Sequence, residues 1–448
     1  MKRLIGLLGV FSLAVLSAFT PADAGGKESG GADTVHALGL SSKSSGNSER
    51  RDPEFVEDAY VVSMGDSYIS GEGGRWRGNA YGTNNFDDRD AVPQDVDLQQ
   101  TDRTRRGTTL KKIYGNTWMY KDSSGRNQPG CHRSDVAEVY GAKDTTIKNR
   151  HGASVVPVAV NLACSGATTS DMRTSFKGEE TSQVGQLEGV ASTGKKIRYV
   201  VLSIGGNDLN LSDVIKFCVA EYWLIHVGEC EKRASDSVKQ ENLNALKSNL
   251  KSLLRKIDAD LKFYELTPGF AKFIIQGYPR PFVTTALLGR ADGRVQRIHK
   301  QGCPFTDLNF SELDALNLRI NESLEGWTKE SDFWPAGRKG IFMNLRFAFD
   351  SHEVCNKHTV ISKGTATYDG VTTGEPNSFA KAQSRYEWVR YINHANATSE
   401  EGNSLMQESA HPNYEGQLVL QKCLKNVIGK FELSDAYKVY TCHHGDIT

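Results

Sequence analysis

The chain has 448 residues, with 54 Lys plus Arg balanced by 54 Asp plus Glu. That length suits one large domain or two ordinary ones, and 38% hydrophobic residues can supply a core. Zero formal net charge excludes a basic nucleic-acid binder or a polyanionic tail protein, and no nucleic-acid partner is expected.

In chain order, Lys2 and Arg3 precede an apolar run from Leu4 to Ala18, followed by Ala22-Asp23-Ala24. This is the pattern of a signal peptide over residues 1–24; the run is shorter than the roughly 20 residues a membrane span needs. An exported, secreted protein without a stable membrane anchor is expected. Residues 25–54 are rich in Gly, Ser and charge and read as a flexible tail, leaving 55–448 as the folded domain. Export gives meaning to the even set Cys131, Cys164, Cys218, Cys230, Cys303, Cys355, Cys423 and Cys442. Disulfides are expected rather than zinc, since no C-x-x-C or H-E-x-x-H occurs, although spacing alone leaves the connectivity open.

Short apolar, β-branched runs predict buried strands at 59–64, 154–162, 197–204, 273–275 and 341–345. Leucines at three- and four-residue steps predict a helix over 238–263, and another is expected over 416–425. Buried strands alternating with helices imply an α/β fold, a three-layer α/β/α sandwich around a mostly parallel sheet. Its chemistry should lie beyond the carboxyl ends of the strands. Two stretches, near 75–130 and 283–338, depart from the alternation and read as surface insertions. Trp76, Trp118 and Tyr120 in the first could line a substrate rim or form a small core.

Four polar segments fall where chemistry is expected: Gly65-Asp66-Ser67 after the first strand, Ala163-Cys164-Ser165-Gly166, Gly205-Gly206-Asn207-Asp208, and Glu408-Ser409-Ala410-His411. Each alone is common. Together, in this order, they resemble the marker blocks of the GDSL lipase/esterase (SGNH hydrolase) family. Gln183 to Leu187, Gly277-Tyr278-Pro279 and His352-Glu353-Val354-Cys355 add to the resemblance, and Cys131-His132-Arg133-Ser134 with Ala163-Cys164-Ser165-Gly166 resemble the disulfide-bearing segments of the secreted actinobacterial branch. The resemblance covers about residues 55–430.

It implies a flavodoxin-like sheet and a secreted serine ester hydrolase working through an acyl-enzyme without metal or organic cofactor. Ser67 would be the nucleophile and His411 the general base, since a serine hydroxyl needs a base to take its proton. The Ser67 N–H, the Gly166 N–H and the Asn207 amide would form the oxyanion hole. Gly166 is expected to leave room for substrate. The family usually carries Asp three residues before the histidine; Glu408 stands there and is expected to orient His411, with a backbone carbonyl as the alternative. The resemblance also favours sequential pairing: Cys131–Cys164, Cys218–Cys230, Cys303–Cys355 and Cys423–Cys442. Asp66, Asp208 and His352 are expected to be structural, and adjacent His443 and His444 make no metal site.

The substrate would be a small-molecule, lipid or glycan ester. A carbohydrate O-deacetylase or an acyltransferase could use the same site, and a non-catalytic binding protein could stand on the same scaffold. The intact set Ser67, Gly166, Asn207 and His411 argues against the binding protein, and only the Glu408 departure speaks for it; the fold by itself does not set the substrate.

Overall fold

The computed structural model describes residues 58–77, 103–179, 181–224, 228–264, 270–288, 304–338, 340–356, 359, 367–368, 371–372, 387–392, 407–431 and 437–446. The expected signal peptide and tail, part of each expected insertion and Cys303 lie outside them. Contacts group Phe55–Thr448 as one compact unit.

Six parallel strands form the central sheet: β1 (Ala59–Gly65), β2 (Val158–Asn161), β3 (Lys196–Ser203), β4 (Lys272–Gln276), β5 (Gly340–Asn344) and β6 (Lys438–Thr441). Their spatial order is β2-β1-β3-β4-β5-β6, so the order reverses beside β1, where doubly wound sheets open their binding crevice. β1 is buried at every position and β3 at all but its first. Such strands need cover on both faces, which their unbroken apolar runs anticipate. The flanking helices are α1 (Ser67–Ser70), α2 (Gln183–Ser192), α3 (Leu211–Leu224), α4 (Glu229–Ser237), α5 (Gln240–Tyr264), α6 (Asp307–Thr328) and α7 (Tyr414–Phe431). α2 packs on α5, α6 on α4 and β5, and α7 on a 3-10 segment, Glu138–Asp144. The fold is α/β with a parallel central sheet.

Several elements differ from the sequence expectation. The strand expected over 154–162 is two: Ser154–Val155 pairs antiparallel with Ile147–Lys148, and β2 begins only at Val158. Pro157 between them offers no N–H to a ladder. The helix expected from 238 begins at Gln240. The stretch 283–338 is more than a surface insertion: α6 within it buries Phe310, Leu313, Leu316, Ile320, Leu324 and Trp327.

Among the described residues no helix is long and apolar enough to cross a membrane. Disulfides join Cys131–Cys164, Cys218–Cys230 and Cys423–Cys442. Cys355 is also disulfide-bonded.

Candidate active site

β1 ends at Gly65, whose backbone has φ 134°, and a Cβ there would lie 1.9 Å from the Ser203 carbonyl oxygen. Only glycine permits this approach, and it turns the chain directly into α1. Asp66 caps α1, its carboxylate accepting from the Tyr68 N–H at 3.1 Å. Gln183 on α2 braces the turn from below: its Oε1 accepts from the Gly65 N–H at 2.7 Å and its Nε2 donates to the Gly65 carbonyl at 2.8 Å.

Ser67, first residue of α1, lies with its Oγ 2.6 Å from His411 Nε2. His411 Nδ1 is 2.8 Å from the Ser409 carbonyl oxygen. A carbonyl only accepts, so Nδ1 carries the hydrogen and Nε2 is left to accept from the serine hydroxyl. Ala410, between the two partners, adopts a left-handed φ of 62°, and its carbonyl accepts from the Tyr68 hydroxyl at 2.9 Å. Burial lowers the pKa of His411, opposed by the carboxylate of Glu72 and the Ser409 contact.

The Glu408 carboxylate is not the partner of His411. Fully buried, it accepts from the Trp76 indole N–H at 2.5 Å and the Tyr114 hydroxyl at 2.8 Å. The chain direction explains this. At Ala410 the backbone reverses locally, so the Ser409 carbonyl faces the imidazole while the longer Glu408 side chain points into the cluster beneath. There His132 Nδ1 meets Glu72 at 2.6 Å and its Nε2 meets the Trp118 carbonyl at 2.9 Å. The Tyr114, Trp118 and His132 rings stack at 4.6–5.4 Å. Trp76 and Trp118 therefore belong to a small polar-aromatic core, and Tyr120 packs against Gly178.

Glu72, His132 and Glu408 offer ligand atoms within 4.8 Å of one another, a spacing that could hold a metal ion. Each already has protein hydrogen-bond partners.

Gly166 follows β2 with φ 85°, itself exposed between the buried Ser165 and Ala167. A Cβ there would meet Lys177 Nζ at 3.6 Å, ordinary contact, so backbone conformation rather than lack of space within the protein favours glycine. The loop is fixed by the Cys131–Cys164 disulfide and by the Ser165 N–H donating to the Cys131 carbonyl at 3.1 Å. Asn207, beyond β3, donates one amide hydrogen to the Ala167 carbonyl at 3.0 Å. Neither the Ser67 nor the Gly166 N–H has an acceptor among the described residues.

Two residues tie these loops together. Tyr278 donates to Asp66 at 2.5 Å and accepts from the Gly206 N–H at 2.8 Å. Asp208 accepts from the Thr169 N–H at 3.0 Å and from its hydroxyl. Burial raises Asp66 to about 7, opposed by its bonds from Tyr278 and Tyr68 and reinforced by Asp208. Tyr278 is in turn held by Asn321, which accepts from its N–H at 2.9 Å and donates to its carbonyl at 3.0 Å. Gln183, Tyr278 and Asn321 lie in no sequence position that marks a bracing role, although the first two fall in segments with family resemblance. His352 stacks on Trp388 at 3.6 Å, away from Ser67's partners. His443 lies against Phe347, and His444 near His352 and Trp388.

No protein-family model matches the sequence, and no curated protein does. Among solved structures the chain is similar to phospholipase A1 from Streptomyces albidoflavus NA297, at 18% identity over 84% of this chain and 99% of that one, with TM-score 0.42. It is similar to an extracellular lipase from Streptomyces rimosus, at 19% identity over 83% and 99%, TM-score 0.41. A protein described as a GDSL-like lipase from Parabacteroides merdae ATCC 43184 matches at 12% identity over 83% and 96%, TM-score 0.29. At these scores the functional reading rests on the geometry of the site itself.

Proposed function

We propose that the chain is an exported serine ester hydrolase of the SGNH type, with a Ser67–His411 dyad oriented by the Ser409 carbonyl. The observation that carries this reading is the 2.6 Å contact between Ser67 Oγ and His411 Nε2, with Nδ1 held 2.8 Å from a group that can only accept. The disulfides agree with an oxidising destination.

As Ser67 Oγ attacks the ester carbonyl carbon, His411 Nε2 takes its proton and the carbonyl π electrons move to oxygen. The resulting oxyanion accepts from the Ser67 N–H, the Gly166 N–H and the second amide hydrogen of Asn207. The first lies at the positive end of α1, though so short a helix adds little dipole. Collapse expels the alcohol, which takes the proton from His411 and leaves an acyl group on Ser67. Water, deprotonated by the same imidazole, repeats the sequence and releases the acid. With a carbonyl in place of a carboxylate, the imidazolium is stabilised by a dipole and by the more distant Glu72.

The test is hydrolysis of p-nitrophenyl esters of increasing chain length by the mature protein and by Ser67→Ala. Turnover that vanishes in the variant supports the reading, and the length optimum gives the acyl size. Turnover that survives in Ser67→Ala overturns it.

A further inference from the structure

The cation beside Gly166 has no role in the dyad or the oxyanion donors. Lys177 Nζ and Cε would lie 3.6 and 3.7 Å from a Cβ at Gly166, and Phe176 Cζ 3.9 Å. The two residues thus line the side of Gly166 on which a side chain would stand, and the glycine is itself exposed. Lys177 is half-buried and its ammonium is turned inward, donating to the Gly130 carbonyl at 3.3 Å and to Gln407 Oε1 at 3.0 Å. Both acceptors are neutral. An ammonium has three hydrogens, so one remains. Among the described residues no carboxylate pairs with it directly, and Glu72 and Asp171 act on it only through longer-range attraction. Burial lowers its pKa to about 8, leaving it mainly cationic at neutral pH.

The backbone is committed to this placement. Lys177 adopts φ 49° and Gly178 φ 75°, and a Cβ on Gly178 would press on Tyr120 at 2.9 Å. A non-glycine residue held left-handed carries a conformational cost that persists when the surroundings over-determine it, as at ligand clamps. A half-buried ammonium bonded to neutral oxygens, 5.8 Å from the Phe176 ring centre and with Glu72 and Asp171 only at longer range, gains a direct counter-charge when an anion arrives.

We propose that Lys177 forms an anion-binding subsite beside Gly166, so that the preferred substrates are esters carrying a phosphate or carboxylate close to the scissile bond. This rests on the serine-hydrolase reading above. The remaining Nζ hydrogen would make a charge-assisted bond to the anionic oxygen, and Phe176 would pack on the adjoining carbon chain.

The experiment compares kcat/KM for two matched pairs. p-Nitrophenyl hemiglutarate against p-nitrophenyl butyrate reports a carboxylate, and dibutyrylglycerol 3-phosphate against dibutyrylglycerol a phosphate. In at least one pair the anionic-to-neutral ratio should fall about 10- to 100-fold in Lys177→Met, the scale of one charge-assisted hydrogen bond, and be largely kept in Lys177→Arg. Thermal midpoints verify folding, with Lys177→Gln replacing any Met variant that does not fold. Equal ratios in wild type and the neutral variant for both pairs overturn the subsite, including the case in which the lysine serves every substrate alike. Labelling of wild-type Ser67 by a neutral fluorophosphonate separates the two levels. Absence of labelling defeats the serine-hydrolase reading, whereas labelling with equal ratios defeats only the subsite.

Discussion

Replacing Glu408 by Gln separates an orienting carboxylate from a structural one. The side chain is fully buried and accepts from Trp76 and Tyr114. The amide keeps the shape but has one acceptor oxygen, so one of these donors would face an NH2 group. Hydrogen bonds to a charged group contribute about 1.5–3 kcal/mol, and a buried donor left unsatisfied costs about 1–3 kcal/mol. Burial raises the Glu408 pKa, reinforced by Glu72 and opposed by Arg75 and His132; the hydrogen-bond ranges alone put the destabilisation at about 2 kcal/mol. In a unit of this size that is a fall of a few degrees in thermal midpoint. kcat on a short p-nitrophenyl ester should change less than about threefold, because Ser409 still holds His411. Loss of an orienting triad carboxylate costs roughly 10,000-fold in kcat. A fall of 1,000-fold or more with an unchanged thermal midpoint would refute the assignment of the Ser409 carbonyl.

Three further outcomes follow from the same geometry. Tyr278→Phe removes the hydroxyl joining Asp66 to Gly206 and should lower kcat roughly tenfold with little change in KM, checked by steady-state kinetics. Desolvation lowers the His411 pKa, so kcat/KM should rise with pH to a plateau with its acid midpoint below the ordinary histidine value. A pH–rate profile with a midpoint above that value would contradict the burial argument. Glu138, buried beside Gln276, is raised from 4.5 to about 8 by desolvation. Over that window the folded chain keeps a proton the unfolded chain has released, so this group's stability contribution is lost as pH rises and is level above about 8. Glu138→Gln should remove that slope, about 1.4 kcal/mol per pH unit at most, in urea titrations at several pH values.

The parts legible in the sequence are those with local causes. Val61, Val62 and the Gly65 that ends their strand announce a buried run and a tight turn, and Ser67 stands where that turn leaves the sheet. Asn207 follows β3 in the same manner. The orienting group was legible only as the alternative to Glu408, because a backbone carbonyl has no residue signature and the left-handed Ala410 carries no glycine to mark it. The three-residue spacing to Glu408 pointed instead to a carboxylate that the structure commits to Trp76 and Tyr114. α6 was hidden because Asn317 and Asn321 interrupt its apolar face, and both turn out to hold the Tyr278 segment. β6 is an edge strand of only four residues, three of them half-buried. Lys177 gives no sequence signal at all, since its significance lies in Gly166, Gly130 and Gln407 converging from distant parts of the chain.

The most direct test of the Ser67–His411 dyad is an acid quench during turnover of p-nitrophenyl butyrate, followed by peptide mass spectrometry. The dyad predicts a butyryl ester on Ser67 in the wild-type protein, with no such adduct in His411→Ala under the same quench. Turnover with the acyl group on another residue, or at undiminished rate in His411→Ala, would contradict it.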